Sequence, residues 1–426
     1  MTNLEAKTPA HALLHPFPVE QGELVVGGLP LSRLATRVGQ TPFYAYDRRL
    51  LTQRVAELRA ILPASVKLHY AMKANPMPAL VCHMARLVDG IDVASAGELK
   101  VALDAGADPR EISFAGPGKQ CRELQQAVAA GILINIESVR EAAELAAISQ
   151  AAGCAARIAV RVNPDFELKS SGMKMGGGAR QFGVDAEQVP ALLAEIGRIA
   201  VRVNPDFELK SSGMKMGGGA RQFGVDAEQV PALLAEIGRH PLNFEGFHLF
   251  AGSQNLRPEA IVEAQAKSYE LAVRLASHAP SPLRFLNLGG GFGIPYFPGE
   301  RHLDLEPIAS GLATIAERAA RELPDAELVI ELGRYLVGEA GIYVTRIVDR
   351  KVSRGQTFLV CDGGLHHHLS ASGNFGQIIR KNYPVVIGNR MTSTVAETVS
   401  VVGPLCTPLD LLADRMKLAE AQVGDL

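Results

Sequence analysis

A few residues of this chain sit where they could share one piece of chemistry. Lys73 ends the apolar run "LHYAM" and is followed by "ANP". A lysine at such a strand end can form a Schiff base with an aldehyde, once desolvation or a nearby cation leaves its amine unprotonated. His248, in "GFHLFAGS", is flat enough to stack on a ring. Gly289, Gly290 and Gly291 form a turn whose backbone N–H groups can close on a phosphate. In "ELGR", Glu331 could pair with a protonated ring nitrogen, and Arg334 could add a charge-assisted contact to an anion. Each has a plainer meaning when taken alone. Lys73 is then a surface charge, His248 a core histidine, the glycines a loop and "ELGR" a strand exit with a salt bridge. Together they are the inventory for pyridoxal phosphate, which stabilises a carbanion at an amino acid's α-carbon.

Those residues must be brought together by the elements that carry them. From about 45 to 335, short apolar runs alternate with helical patterns. "VKLHYAM", "IDVAS", "ISFAG", "LINIES", "RIAVRVN", "GFHLFAGS", "FLNLGGG" and "ELVIELG" read as strands. Such alternation predicts a parallel sheet covered by helices. With the repeated unit counted once, the pattern fits an α/β fold, a (β/α)8 barrel. An open doubly wound sheet is the rival, but no G-x-G-x-x-G opens an early helix. Barrel sites lie at the C-terminal strand ends. Lys73, Asp92, Arg161 or Arg202, His248, the glycine turn and Glu331 all fall there. The flanks differ: residues 1–44 are expected to join a second, mostly antiparallel β domain at 336–426, whose β-branched runs are separated by turns.

One feature disturbs that plan. Residues 157–197 recur letter for letter as 198–238. Each copy is a strand, a Gly-rich loop and a helix, a complete βα unit. Barrel closure links strand number, tilt and shear. The expectation is therefore that one copy fills the barrel and the other is extruded, at a loop-closure cost that grows slowly with length.

Composition narrows the function classes. The chain has 426 residues, 47% hydrophobic and 21% charged, with a formal net charge of −2. That balance leaves no electrostatic footprint for nucleic acid or an anionic membrane. No apolar run reaches the roughly 18 residues that a spanning helix needs. The N-terminus lacks the pattern of a signal peptide. The five cysteines are scattered and not in metal-ligand spacing. A cytoplasmic protein with free thiols and no metal is the expectation.

The ordered series "YAMKAN", "DVASAGEL", "H-x-x-A-G-S-Q", "LNLGGGFGI", "ELGRYLV" and "VVGPLCTPLD" resembles the barrel-type (fold type III) pyridoxal phosphate decarboxylases of basic amino acids. That family includes diaminopimelate and ornithine decarboxylases. The resemblance runs from about residue 25 to the end and implies a role for each matching position. Lys73 would be the imine lysine and His248 the ring-stacking histidine. Ser253, Gly289, Gly290, Gly291, Gly333 and Arg334 would cradle the phosphate. Glu331 would partner the pyridine nitrogen, with Asp92 and Arg161 or Arg202 beside the cofactor. Cys406 would come from the opposite subunit and help to protonate the carbanion after CO2 leaves. A homodimer with shared active sites is thus implied.

The chain departs from the family pattern in three places. Relatives acting on a distal amine carry an acid directly after the cysteine, where this chain has Thr407; Asp410 could partly substitute. The turn "DGGLHHHLSASGNFG" lacks the substrate-binding arginine of diaminopimelate decarboxylases, and its His366–His368 run reads as a polar loop or a metal site. Relatives also continue past Leu426 to a tyrosine that contacts the phosphate, so the C-terminus is expected to be cut short. The pattern is more similar to the subgroup associated with exosortase and exopolysaccharide systems, and a carrier-linked amino acid is a reasonable substrate. A racemase of the same fold and an inactive cofactor-binding homologue are the alternatives.

Overall fold

The computed structural model describes residues 16–116, 118–136, 139–154, 156–161, 198–203, 214–215, 243–250, 252–279, 281–297, 299–372 and 381–426. The chain divides into two compact units. One comprises Thr52–Ile294 and Leu303–Val337; the other comprises Met1–Leu51, Pro295–His302 and Gly338–Leu426.

The first unit is a closed parallel barrel. Its strands are β1 (Val66–Ala71), β2 (Gly90–Val93), β3 (Ile112–Phe114), β4 (Leu133–Ile136), β5 (Arg157–Arg161), β6 (Arg198–Val203), β7 (Asn243–Leu249), β8 (Phe285–Gly290) and β9 (Glu327–Leu332). They follow one another around the ring, and β9 pairs with β1 to close it. In β1, Val66, Leu68, His69, Tyr70 and Ala71 are all buried, as a parallel strand covered on both faces requires. The helices supply that cover. Pro258–Ala276 buries Ile261, Ala264, Ser268, Leu271, Ala272 and Leu275, a stripe at helical spacing. Glu306–Glu322 does the same through Ile308, Leu312, Ile315 and Ala319.

The barrel differs from the expected eight-stranded ring in one respect. Both copies of the repeat contribute a strand. β6 pairs in parallel with β5, from Ile199↔Ile158 to Arg202↔Arg161, and on its other side with β7. The extrusion of one copy is therefore not observed for the strands. A β-branched strand left outside would expose a row of unpaired N–H and C=O groups, which the ring pairs instead. The rest of each copy lies outside the described residues, apart from Met214–Lys215. That pair forms a short antiparallel ladder with Gly252–Ser253.

Local signals fix the loops on the site side. Ser95 caps the helix Ala96–Asp104 by accepting the Glu98 N–H, and Glu98 Oε2 accepts the Ala94 N–H in return. Glu98 is thus a capping residue. Beneath the next loop, Lys119 and Glu141 are buried and 3.1 Å apart, and the Lys119 ammonium also donates to the carbonyls of Gly116 and Asn135. A buried pair of this kind is tolerated because its remaining donors find acceptors.

The second unit is built on a four-stranded sheet of Ile347–Ser353, Gln356–Cys361, Ala396–Val402 and Leu411–Ala419. The middle pair is parallel and the outer pairs are antiparallel. Its core gathers Ile347, Leu359, Cys361, Val399, Val401, Met416 and Leu418. Phe43–Tyr46 pairs with Gly341–Val344, which ties the N-terminal segment to this unit. Among the described residues no helix is long and apolar enough to cross a membrane.

Candidate active site

At the end of β1 the backbone turns sharply through Met72–Ala74. Met72 is fully buried and anchors the turn. The Tyr70 hydroxyl donates to the Asn75 carbonyl at 2.9 Å, and Asn75 Oδ1 accepts the Met77 N–H at 3.0 Å. Between these fixed points Lys73 is exposed. The exit of β9 closes on the same turn, because a Cβ on Gly333 would stand 3.2 Å from Ala74 Cβ. Arg334 follows at once and opens the short helix Arg334–Val337.

The glycine turn is packed too tightly for any side chain. A Cβ on Gly289 would meet the Leu249 carbonyl at 2.7 Å, and one on Gly291 would meet that of Gly252 at 2.4 Å. Gly289 and Gly291 also take φ of +72° and +80°, which favours glycine. The turn therefore lies directly on the segment that leads to Ser253. Beside it, Glu331 Oε2 stands 3.1 Å from His248 Nε2. Both side chains are about nine-tenths buried, so the contact is little screened when the imidazole is protonated.

Across the barrel, Asp92 Oδ1 accepts the Ser113 hydroxyl at 2.6 Å and lies 3.5 Å from His69 Nδ1. Burial pulls the His69 imidazole down. Its hydrogen bond to Asp92 and the charges of Asp92, Glu111 and Glu331 outweigh that and hold it above its ordinary pKa. Asp92 is thus part of a buried polar layer that reaches Glu331 through β1, where His69 and Glu331 are register partners. Arg202 is the register partner of His248, and Arg161 lies one strand further round. The second copy of the repeat therefore borders His248.

Cys406, Thr407 and Asp410 belong to the other unit, on the turn between Ala396–Val402 and Leu411–Ala419. Cys406 is exposed, as are Leu405 and Leu409 beside it. Asp410 has a structural role that its place in the sequence did not reveal. Its carboxylate is buried and accepts the N–H groups of Leu365 at 2.6 Å and Leu405 at 2.8 Å. Gly364 and Gly403 leave it room, since a Cβ on either would clash with it. A carboxylate that takes two backbone donors organises the turn. Asp410→Ala should cost about 2 kcal/mol of stability, from two part-buried N–H donors left without their acceptor. Urea unfolding measures this, and an unchanged midpoint would show that the bonds carry no weight.

The histidine run lies in the same unit. His368 Nδ1 is 2.9 Å from the Tyr44 hydroxyl, and its ring stacks on Tyr343 at 5.6 Å. Burial lowers the His368 pKa. Among the described residues no group of three or more His, Cys, Asp or Glu has the geometry of a metal site.

Two residues of the barrel site were not anticipated. Asn287 and His69 are both buried polar side chains inside apolar strands. The signal was present as one polar letter in "FLNLGG" and one in "VKLHYA".

The barrel residues fit pyridoxal phosphate. The glycine turn is a cradle that a Cβ would fill, and Glu331 and His248 flank it with a carboxylate and an imidazole.

Comparison with known proteins agrees. The family model "Pyridoxal-dependent decarboxylase, pyridoxal binding domain" matches residues 48–198 and again 193–338. L-glutamyl-[BtrI acyl-carrier protein] decarboxylase of Niallia circulans is 32% identical over 92% of this chain and 83% of its own length. Diaminopimelate decarboxylase of Aquifex aeolicus is 30% identical over 95% of this chain and 84% of its own. The crystal structure of diaminopimelate decarboxylase from Helicobacter pylori complexed with L-lysine superposes with a TM-score of 0.71 at 26% identity, covering 92% of this chain and 86% of that one.

Proposed function

Because the chain belongs to the pyridoxal-dependent decarboxylase family, we propose that it is a pyridoxal phosphate carboxy-lyase acting on an amino acid other than diaminopimelate, with a carrier-linked amino acid favoured. The observation that carries the reading is the glycine turn at Gly289–Gly291, closed against the carbonyls of Leu249 and Gly252 and set beside the Glu331–His248 contact. When bound, pyridoxal phosphate supplies an aldehyde and a ring that takes up the electron pair left as CO2 departs.

The chain's own residues do the rest. Lys73 presents a primary amine from a rigid turn. The glycine turn, with Ser253, Gly333 and Arg334, binds the phosphate end. Glu331 would partner the ring nitrogen and favour its protonated form, and His248 would cover the ring face. Asp92 and Arg202, or Arg161, complete the polar surround. Cys406, supplied by a second copy of the chain, would deliver a proton to the α-carbon.

The substrate assignment rests on the cysteine turn. Thr407 is neutral, and Asp410 is committed to the backbone. No carboxylate next to Cys406 is then left for a distal ammonium. That supports a substrate whose far end carries no free amine. The Niallia relative, which acts on a glutamyl group held by a carrier protein, has such a substrate. The exposed Leu405 and Leu409, at 39% and 56%, support a turn that packs on a second copy, with active sites shared in a homodimer.

Purified protein supplied with pyridoxal phosphate should release CO2 from a glutamyl-carrier protein at least about tenfold faster than from free diaminopimelate, a discrimination worth roughly 1.4 kcal/mol. Preference for diaminopimelate would overturn the substrate assignment. Racemisation without CO2 release would overturn the reaction class.

A further inference from the structure

We propose that Asn287 is a positioning residue that joins the glycine turn to Glu331, so that the phosphate end and the ring-nitrogen end of the site are held as one unit. The proposal rests on the pyridoxal phosphate reading above and goes beyond it in assigning a residue that would touch neither the phosphate nor the ring itself.

The geometry begins with a register shift. On β8, Asn287 is the partner of His248 on one side and of Val329 on the other. The ladder to β9 then slips, and the next pair is Gly290 with Glu331. A slip of this kind inserts extra backbone on one strand and re-aims its side chains. Here the Asn287 amide spans the slip. Its Oδ1 accepts the Gly289 N–H at 2.7 Å, and its Nδ2 donates to Glu331 Oε2 at 3.4 Å. That same carboxylate oxygen is the one 3.1 Å from His248 Nε2.

The chemistry explains why the residue is an amide. The position needs an acceptor toward a backbone N–H and a donor toward a carboxylate at the same time. A neutral amide provides both and does not titrate. Turning it over would face NH2 to N–H and oxygen to carboxylate, so the network allows one orientation. An ionised aspartate could accept but not donate, and would set a second negative charge against Glu331. A leucine could do neither. Asn287 is 2% exposed, so water cannot replace the missing bonds. Because Gly289 commits its N–H inward to this bond, the shape of the turn depends on it.

The test uses the full chain and reads binding rather than turnover. Pyridoxal phosphate affinity is measured by equilibrium dialysis for wild type, Asn287→Asp and Asn287→Leu, from about pH 5.5 to 8.5, a span that crosses the range of perturbed carboxylates. Asn287→Asp should bind nearly as well as wild type at the low end, where its carboxyl keeps a proton and donates to Glu331. At the high end it should bind about tenfold or more weaker, the equivalent of one pKa unit of repulsion. Asn287→Leu should be weaker at every pH. Competition by inorganic phosphate should fall in parallel, because the turn itself has loosened.

A ratio of Asn287→Asp to wild type that is flat, or that rises with pH, would overturn the proposal. A purely structural role gives no such slope. If Asn287→Leu fails to fold, the Asn287→Asp profile alone decides. Wild type that binds no pyridoxal phosphate overturns the cofactor reading together with this one. Wild type that binds, with a flat Asn287→Asp ratio, overturns this one alone.

Discussion

Lys73→Ala should yield a folded protein that binds pyridoxal phosphate but never links to it covalently, with CO2 release reduced on the order of 10³-fold or more. The size follows from the role. In the proposed site the other barrel groups would grip the cofactor or tune its charge, and each has neighbours that would partly cover its loss. Lys73 is the proposed imine lysine, on a turn fixed by Met72 in the core and by Tyr70 bonded to Asn75. Stability should hardly change, because Lys73 is exposed. Lys73→Arg separates charge from nucleophilicity, since guanidinium stays protonated and cannot attack an aldehyde. It should be as inactive as the alanine variant. The direct check is borohydride treatment of the loaded wild type, followed by mass analysis of its peptides. The adduct should fall on the peptide that carries Lys73 and be missing in both variants. An adduct on another lysine, or turnover by Lys73→Arg, would sink the assignment.

The barrel was legible because its grammar is local. Alternating strands and helices, and a glycine turn at a strand end, are read one segment at a time. The strand-end placement was legible for the same reason: a parallel barrel brings every C-terminal strand end to one face, and Lys73, His248 and Glu331 lie at or near such ends. What escaped was non-local. Asn287 looks like a flaw in an apolar strand until the slip beside Gly290 aims its amide at Glu331. His69 looks like an ordinary interruption of "VKLHYA" until Asp92 arrives from the next strand. Asp410 read as a spare carboxylate near Cys406, because its bond to Leu365 crosses a long stretch of sequence. In each case a polar letter was visible, and its partner was not.

The repeat shows the same limit at the scale of an element, and it carries the other large effect. Removing residues 198–238 should raise the thermal midpoint, by roughly 5 °C or more if a few kcal/mol are regained. Deleting 157–197 gives the same sequence, so one deletion variant tests both. The sequence alone could not decide between extrusion and insertion, since the two copies offer the same strand to the same neighbours. Insertion wins for the strands because it pairs their backbones, but it makes a ring wider than an eight-stranded one. Barrel diameter grows with strand number, and eight strands leave an interior that side chains just occupy. In this chain a cavity of about 650 Å³ opens at the N-terminal mouth, among His69, Glu111, Arg157, Glu245, Arg284 and Glu327. Most of those are charged groups at or near strand beginnings. Deletion costs the site nothing in kind. Arg202 pairs with His248 on one side and with Arg161 on the other, in register. With one copy gone, the remaining arginine takes the place beside His248, and pyridoxal phosphate affinity should hold or improve. Calorimetry of the two proteins decides it. A midpoint that falls, or does not move, would mean that the nine-stranded ring is as well packed as an eight-stranded one, and that the second copy is part of the fold and not a burden on it.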